Sequence, residues 1–183
     1  TPFGGCRLCT VKVDAPPHYA AACTTAVSDG MVVETHTSDV EDLRRGLLRM
    51  MIAGYPAQAV REFPDLEFHR TLRDYGLVGE LRDVAGAIDD SHPYIRVDMA
   101  QCISCFRCIR ICDDLQGQFV WSAYERGGKT RIVPDSGGRF VDSSCVSCGA
   151  CADTCPTGAI LDTPVAAHRA ATTWIRTTCP YCG

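Results

Sequence analysis

An α+β fold organised around metal is predicted for this chain by three observations. Strand-like alternations flank short cysteine loops near both ends, a helical stretch bounded by turn residues separates them, and the 183 residues include 13 cysteines at metal-ligand spacing. Such a cysteine content is far above ordinary usage, so metal is expected to replace much of the apolar interior.

Cys102, Cys105, Cys108, Cys112 and Cys145, Cys148, Cys151, Cys155 both read C-x2-C-x2-C-x3-C. In this arrangement a [4Fe-4S] cube takes three thiolates from one tight loop and a fourth from a distant sulfur. The spacing therefore predicts Cys102, Cys105, Cys108 and Cys155 around one cube, and Cys112, Cys145, Cys148 and Cys151 around the other. Staples across long loops do not need C-x2-C triplets repeated this closely, and zinc knuckles do not need the third and fourth cysteines of each run. Gly149 and Gly158 suit a backbone that approaches sulfur closely and donates hydrogen bonds to it.

The elements follow in order along the chain. Leu8, Val11 and Val13 alternate and residues 31–33 are apolar, which predicts short strands around a first cysteine loop within residues 1–37. Ser38 and Glu41 read as a capping box for a helix whose apolar positions are Val40, Leu43, Leu47, Leu48 and Met51. A second helix is expected from Pro64 to Gly76, with Leu66, Leu72 and Tyr75 on its apolar side and Gly76 as a left-handed stop. Residues 38–93 thus form a helical connector. Ile95 and Val97 lead into the cysteine loop at Cys102, and a short helix through Cys108 to Leu115 ends at Gly117. Residues 119–124 and 129–133 alternate like a hairpin around Gly127 and Gly128, before the second cysteine loop at Cys145. Residues 94–163 form one domain with an internal repeat, residues 164–176 a tether, and residues 177–183 the start of a further cysteine motif.

Cys6, Cys9 and Cys23 supply three thiolates where a [2Fe-2S] cluster needs four, so a fourth ligand is expected upstream of Thr1. Both ends of the chain read as cut through a motif, as in a piece of a longer polypeptide. The five histidines, His18, His36, His69, His92 and His168, are expected at the surface. Trp121, Tyr124 and Phe140 are expected to pack around the cubes. The pairs Asp89-Asp90 and Asp113-Asp114 read as solvated positions, with nothing beside them to raise a carboxyl pKa, and no catalytic acid, base or nucleophile is expected. A net charge of -4 offers no basic surface for nucleic acid. No stretch is apolar over a membrane-spanning length and no signal peptide is visible, so a reducing, cytoplasmic setting is expected.

The segments PFGGCRLCTVKV and ACTTAVSDGMVV resemble the ferredoxin-type [2Fe-2S] domain at the front of complex I large subunits, NAD-linked hydrogenases and NAD-dependent formate dehydrogenases. Those families carry a further cluster on H-x3-C-x2-C-x5-C, where this chain has Tyr55-Pro56 and no cysteine between Cys23 and Cys102. The tail RTTCPYCG resembles the start of molybdopterin-dependent oxidoreductases, whose [4Fe-4S] cluster begins on C-x2-C. Taken alone, that pair also fits a zinc knuckle.

The chain as a whole resembles the N-terminal iron–sulfur region of the catalytic subunit of an NAD(P)-dependent molybdenum or tungsten formate dehydrogenase. That resemblance implies a partial [2Fe-2S] β-grasp domain, the connector, a two-[4Fe-4S] bacterial-ferredoxin-like domain, and a further cube beginning on Cys179 and Cys182 with its other ligands past Gly183. It also implies a Mo- or W-bis-pterin guanine dinucleotide in a following domain, with FMN and NAD(P) on partner subunits of a hetero-oligomer that includes small iron–sulfur subunits. A stand-alone polyferredoxin-like carrier, an [FeFe]-hydrogenase segment and a complex I-type segment remain as alternatives.

Overall fold

Antiparallel pairing organises the first 34 residues of the computed structural model, which describes residues 3–14, 18–126, 129–135 and 137–163 with Thr173, Ile175 and Arg176. Strand β1 (Thr10–Val13) lies between β2 (His18–Ala21) and β3 (Val33–Glu34). The two-residue period of β1 turns Val11 and Val13 to one face, where they pack with Ala20 and Met31.

Helix α1 (Ser38–Met51) buries Val40 and Leu48. Its N-cap is Thr37, so Ser38 is already helical and the expected box with Glu41 does not form. Glu41 is taken up by other partners: Arg44 at 2.9 Å, the Tyr75 hydroxyl at 2.7 Å and His36 at 3.1 Å. Helix α2 (Ala57–Glu62), capped by Pro56, is an element that the sequence pattern did not reveal, because six residues hold too little periodicity to detect. Helix α3 (Glu67–Asp74) is shorter than the stretch expected from Pro64, whose first residues form a turn closed by Leu66 N–H on the Phe63 carbonyl.

The end of α3 is as expected. Gly76 at φ +67° donates to the Arg73 carbonyl and Leu77 to the Leu72 carbonyl, each at 2.9 Å. This is a Schellman motif, and the buried Leu72 and Leu77 supply its apolar contact. Leu48, Tyr55, Phe68, Leu72 and Leu77 form the connector core, against which Leu8 and Ile103 pack from the first and second cysteine loops.

Beyond the connector, β4 (Ile88–Asp89) and β5 (Ile95–Asp98) lead into helix α4 (Arg107–Arg110), which continues as a π-helical turn over Ile111–Leu115. Strands β6 (Trp121–Arg126) and β7 (Lys129–Pro134) pair antiparallel as expected, while the turn glycines at 127–128 lie outside the described residues. Helix α5 (Ala150–Thr154) and β8 (Ile160–Asp162) follow, and β8 returns to pair with β5, Val97 opposite Ile160. The start and finish of this half are thereby joined. Its core combines Ile95, Val97, Trp121, Ile132, Phe140 and Ile160 with the buried Cys108, Cys112 and Cys151.

Two histidines depart from the expected surface placement: His69 is fully buried and His92 nearly so, while His18 and His36 are exposed. Each buried ring has polar partners, which is what allows a histidine inside. His168 lies outside the described residues.

An added Cβ meets nothing within 4 Å at either Gly76 or the helical Gly46, so alanine at each position isolates backbone conformation. Gly76→Ala is expected to lose about 1 kcal/mol to the left-handed conformation, whereas Gly46→Ala should gain about 0.5–1 kcal/mol. Urea unfolding measures both, and shifts of the same sign would contradict this account.

Candidate metal centre

Each cysteine run begins on a loop whose backbone bends toward its own sulfurs. In the first, Ser104 (φ 53°) and Phe106 (φ 61°) are left-handed, and in the second Ser147 (φ 59°) and Gly149 (φ 76°) hold the same offsets from the leading cysteine. The bend directs Ser104 N–H at Cys102 Sγ, 3.4 Å away, and Ser147 N–H at Cys145 Sγ, 3.3 Å away. Three of these four residues have a Cβ, for which the left-handed region costs about 1–2 kcal/mol each. Strain repeated at equivalent places marks a loop shaped for a ligand. Of these four positions only Gly149 carried a signal in the sequence; its alignment with Phe106 at the same offset was the missing clue.

The runs then cross over. Cys102, Cys105, Cys108 and Cys155 line one small cavity, walled by Met99, Ile132 and Ile160. Cys112, Cys145, Cys148 and Cys151 line another, walled by Val120 and Trp121. Each cavity therefore takes three cysteines from one loop and one from the opposite run. Helix α4 and its π-helical extension carry Cys112 away from its neighbours, and α5 does the same for Cys155.

Burial pushes the Cys102 thiol up to about 11, with the neighbouring Cys105 and Cys155 acting in the same direction. The same cause raises Cys151 to about 11, against a lowering hydrogen bond from Trp121, and Cys145, Cys148 and Cys112 add to it. Cys108 is raised further, again by burial first and then by Cys102, Cys105 and Cys155. Thiols so placed hold their protons until a cation replaces them. Four thiols, N–H groups aimed at sulfur and apolar walls fit an iron–sulfur cluster in each cavity.

The N-terminal set is more open. Cys6, Cys9 and Cys23 share one cavity, with Cys23 exposed and the others half-buried. Burial acts to raise Cys9, but hydrogen bonds from the backbone and side chain of Cys23 hold it below its ordinary value. Cys23 is raised correspondingly, first by its hydrogen bond with Cys9. Cys105 lies in the wall of this same cavity, so the N-terminal set and the first four-cysteine set share a boundary. Arg107, next along that wall, holds Glu67 of α3 through two contacts of 2.6 Å. Cys179 and Cys182 lie outside the described residues.

Of the aromatics expected around the cubes, Trp121 lines the second four-cysteine cavity and stacks on Phe140 at 5.0 Å and 17°, Phe140 lines neither four-cysteine cavity, and Tyr124 is exposed on the hairpin. The acidic pairs also differ from expectation. Asp89 accepts from Phe140 N–H at 2.6 Å and from Ser91 N–H at 3.0 Å. The Asp113 carboxyl is raised by burial and by Asp114. Neither Asp89 nor Asp113 lines a four-cysteine cavity.

Two family models match the chain: a 2Fe-2S iron–sulfur cluster binding domain over residues 1–38, and the ferredoxin-like domain of NADH-quinone oxidoreductase subunit 3 over residues 92–161. The NADH-quinone oxidoreductase G 2 subunit of Rhizobium meliloti (strain 1021) is 30% identical over 100% of this chain and 22% of its own length. NADP-reducing hydrogenase subunit HndD of Solidesulfovibrio fructosivorans is 30% identical over 86% of this chain and 28% of its own. A Staphylococcus aureus (strain USA300) protein named as a formate dehydrogenase is 29% identical over 88% of this chain and 17% of its own. The chain thus spans less than a third of each of these relatives. Among solved structures, an NAD+-reducing [NiFe]-hydrogenase in the H2-reduced state superposes with a TM-score of 0.77 at 25% identity, covering 94% of this chain and 74% of that one. No helix among the described residues is long and apolar enough to cross a membrane.

Trp121 is 2% exposed and forms both the stack on Phe140 and a wall of the second cavity. Trp121→Ala is expected to lower stability by about 3–5 kcal/mol, and Trp121→Phe by distinctly less. Unfolding midpoints measure this; an alanine variant as stable as the phenylalanine one would show that the ring contributes nothing.

Proposed function

We propose, for a chain that belongs to the N-terminal iron–sulfur region of the family of G-type NADH-quinone oxidoreductase subunits and formate dehydrogenases, that its cysteines hold a line of clusters for electron transfer within a larger oxidoreductase. Cys102, Cys105, Cys108 and Cys155 are assigned to one [4Fe-4S] cube, and Cys112, Cys145, Cys148 and Cys151 to the other. Cys6, Cys9 and Cys23 are assigned to a [2Fe-2S] centre, and Cys179 and Cys182 to the start of a further cube. The observation that carries this reading is the exchange of Cys112 and Cys155 between the two cavities.

Bound clusters of this kind supply one-electron storage and transfer. The chain's own residues fix the sulfurs, direct N–H groups at Cys102, Cys112 and Cys145, and line both four-cysteine cavities with apolar walls. The cavity wall shared by Cys6 and Cys105 favours passage between the N-terminal centre and the first cube.

We assign formate as the reductant of the whole enzyme, on the C-x2-C at Cys179 and Cys182 and the Staphylococcus aureus relative. In that assignment a molybdenum or tungsten bis-pterin site lies in a following domain, and flavin and NAD(P) reside on partner subunits. The superposition on a hydrogenase favours a second reading, in which hydrogen is the reductant. The two separate in the native complex under nitrogen: formate, and not hydrogen, should bleach the cluster absorbance near-completely, and the reverse would establish the second reading.

The ligand assignment has its own test. Cys112→Ala is expected to damage the cube of Cys145, Cys148 and Cys151 and to spare the cube of its nearer neighbours in sequence. Resolved EPR spectra of the reduced variant decide it, since selective loss of the Cys102 cube would make the crossed assignment wrong.

A further inference from the structure

A chain of buried hydrogen bonds outside the cysteine sets ends on one cysteine sulfur. His69 Nδ1 lies 2.6 Å from the Phe63 carbonyl oxygen, which can only accept, so Nδ1 carries the proton and Nε2 is left as an acceptor. Burial lowers the His69 pKa and keeps the ring neutral. The Tyr55 hydroxyl, 2.6 Å from Nε2, donates to it, with the Thr157 carbonyl as a longer branch at 3.4 Å. The Thr157 hydroxyl in turn lies 3.6 Å from Cys155 Sγ and accepts from Ala159 N–H at 3.4 Å. A metal-bound thiolate can only accept, so the hydroxyl hydrogen points at sulfur. Tyr55, His69 and Thr157 are 2%, 0% and 1% exposed, and water does not compete for these bonds.

The loop after Cys155 is fastened to the connector at two further points. Phe68 N–H donates to the Pro156 carbonyl at 3.0 Å. At Gly158, φ +73°, a Cβ would come within 2.9 Å of Leu66 Cδ1. The equivalent crossing sulfur in the other half, Cys112, receives a backbone N–H from Val120 at 3.4 Å. The two halves share their loops and differ at the crossing sulfur.

We infer that Thr157 tunes the reduction potential of the cluster bound through Cys155, and that Tyr55 and His69 are positioning residues that hold Thr157 in place. This rests on the reading that Cys155 completes the set of Cys102, Cys105 and Cys108. A hydrogen bond to a ligand sulfur stabilises the negative charge added on reduction, so the Thr157 hydroxyl raises the potential of that cube. A connector without a cysteine of its own thereby sets the energy of an adjacent redox centre.

The test is a redox titration followed by EPR on the anaerobically purified, cluster-loaded protein. Thr157→Val keeps the shape and removes the hydroxyl; it should lower the one-electron equilibrium constant of the Cys155 cube about three- to tenfold, up to about 59 mV. Thr157→Ser should restore it. Tyr55→Phe should move the same cube in the same direction by less, while the Cys112 cube stays at its wild-type potential throughout. An unchanged potential in Thr157→Val overturns the proposal, as does an equal shift of both cubes, which would signal general loosening. A shift in Thr157→Val without one in Tyr55→Phe removes the positioning role. Cys155→Ala separates the two levels of inference: if the Cys102 cube survives in that variant, the ligand reading itself fails.

Discussion

A tight C-x2-C-x2-C loop offers three sulfurs, and a cube has four corners to fill. The rest of the second half answers that constraint. Each run must send its last cysteine across to the other loop, so neither half can close without its counterpart. The helices α4 and α5 supply the reach, and the pairing of β5 with β8 fixes the two ends of the exchange. This explains why buried cysteines sit among Ile95, Val97 and Ile160 in a single core rather than in two separate pockets. It also suits the short strands, since a domain that held the two proposed clusters would need little apolar area to hold its sheet together.

The same constraint reaches the backbone. Sulfurs facing a shared centre would repel one another as they lose their protons, and N–H groups turned inward offset that charge. Turning them inward places Ser104, Phe106 and Ser147 in left-handed conformations that cost about 1–2 kcal/mol each for residues with a Cβ. Such strain persists only where the surroundings over-determine it. Without bound metal, burial instead holds Cys102 and Cys151 at about 11, so loop, core and charge are all arranged for a ligand that replaces protons.

What the sequence revealed follows from how local each feature is. The grouping of cysteines along the chain was legible because ligand spacing is a short-range, rigid requirement, and the stop at Gly76 was legible because glycine there has a backbone reason. The burial of His69 was not legible. A histidine on a charged helix reads as solvated until its neighbours are known, and its partners Tyr55 and Phe63 come from elsewhere in the fold. The cap at Thr37 displaced the expected Ser38 because Glu41, needed for the box, is drawn to Arg44 and Tyr75. Likewise the left-handed Ser104 and Phe106 have side chains that give no hint of their conformation. At His69 partners beyond its own helix overrode the local signal, whereas at Ser104 and Phe106 there was none to read.

The connector extends the same physics beyond the cysteine loops. Residues 38–93 hold no cysteine, yet the segment is no passive spacer. Leu8 and Ile103 reach into its core from two different cysteine loops, and Arg107 and Pro156 are held by Glu67 and Phe68 of one short helix. A packed apolar core positions neighbours as rigidly as a cluster could, because interiors are dense and resist small shifts. What it cannot do is carry an electron. The N-terminal set and the first crossed set instead adjoin directly, at the cavity wall that Cys6 and Cys105 share.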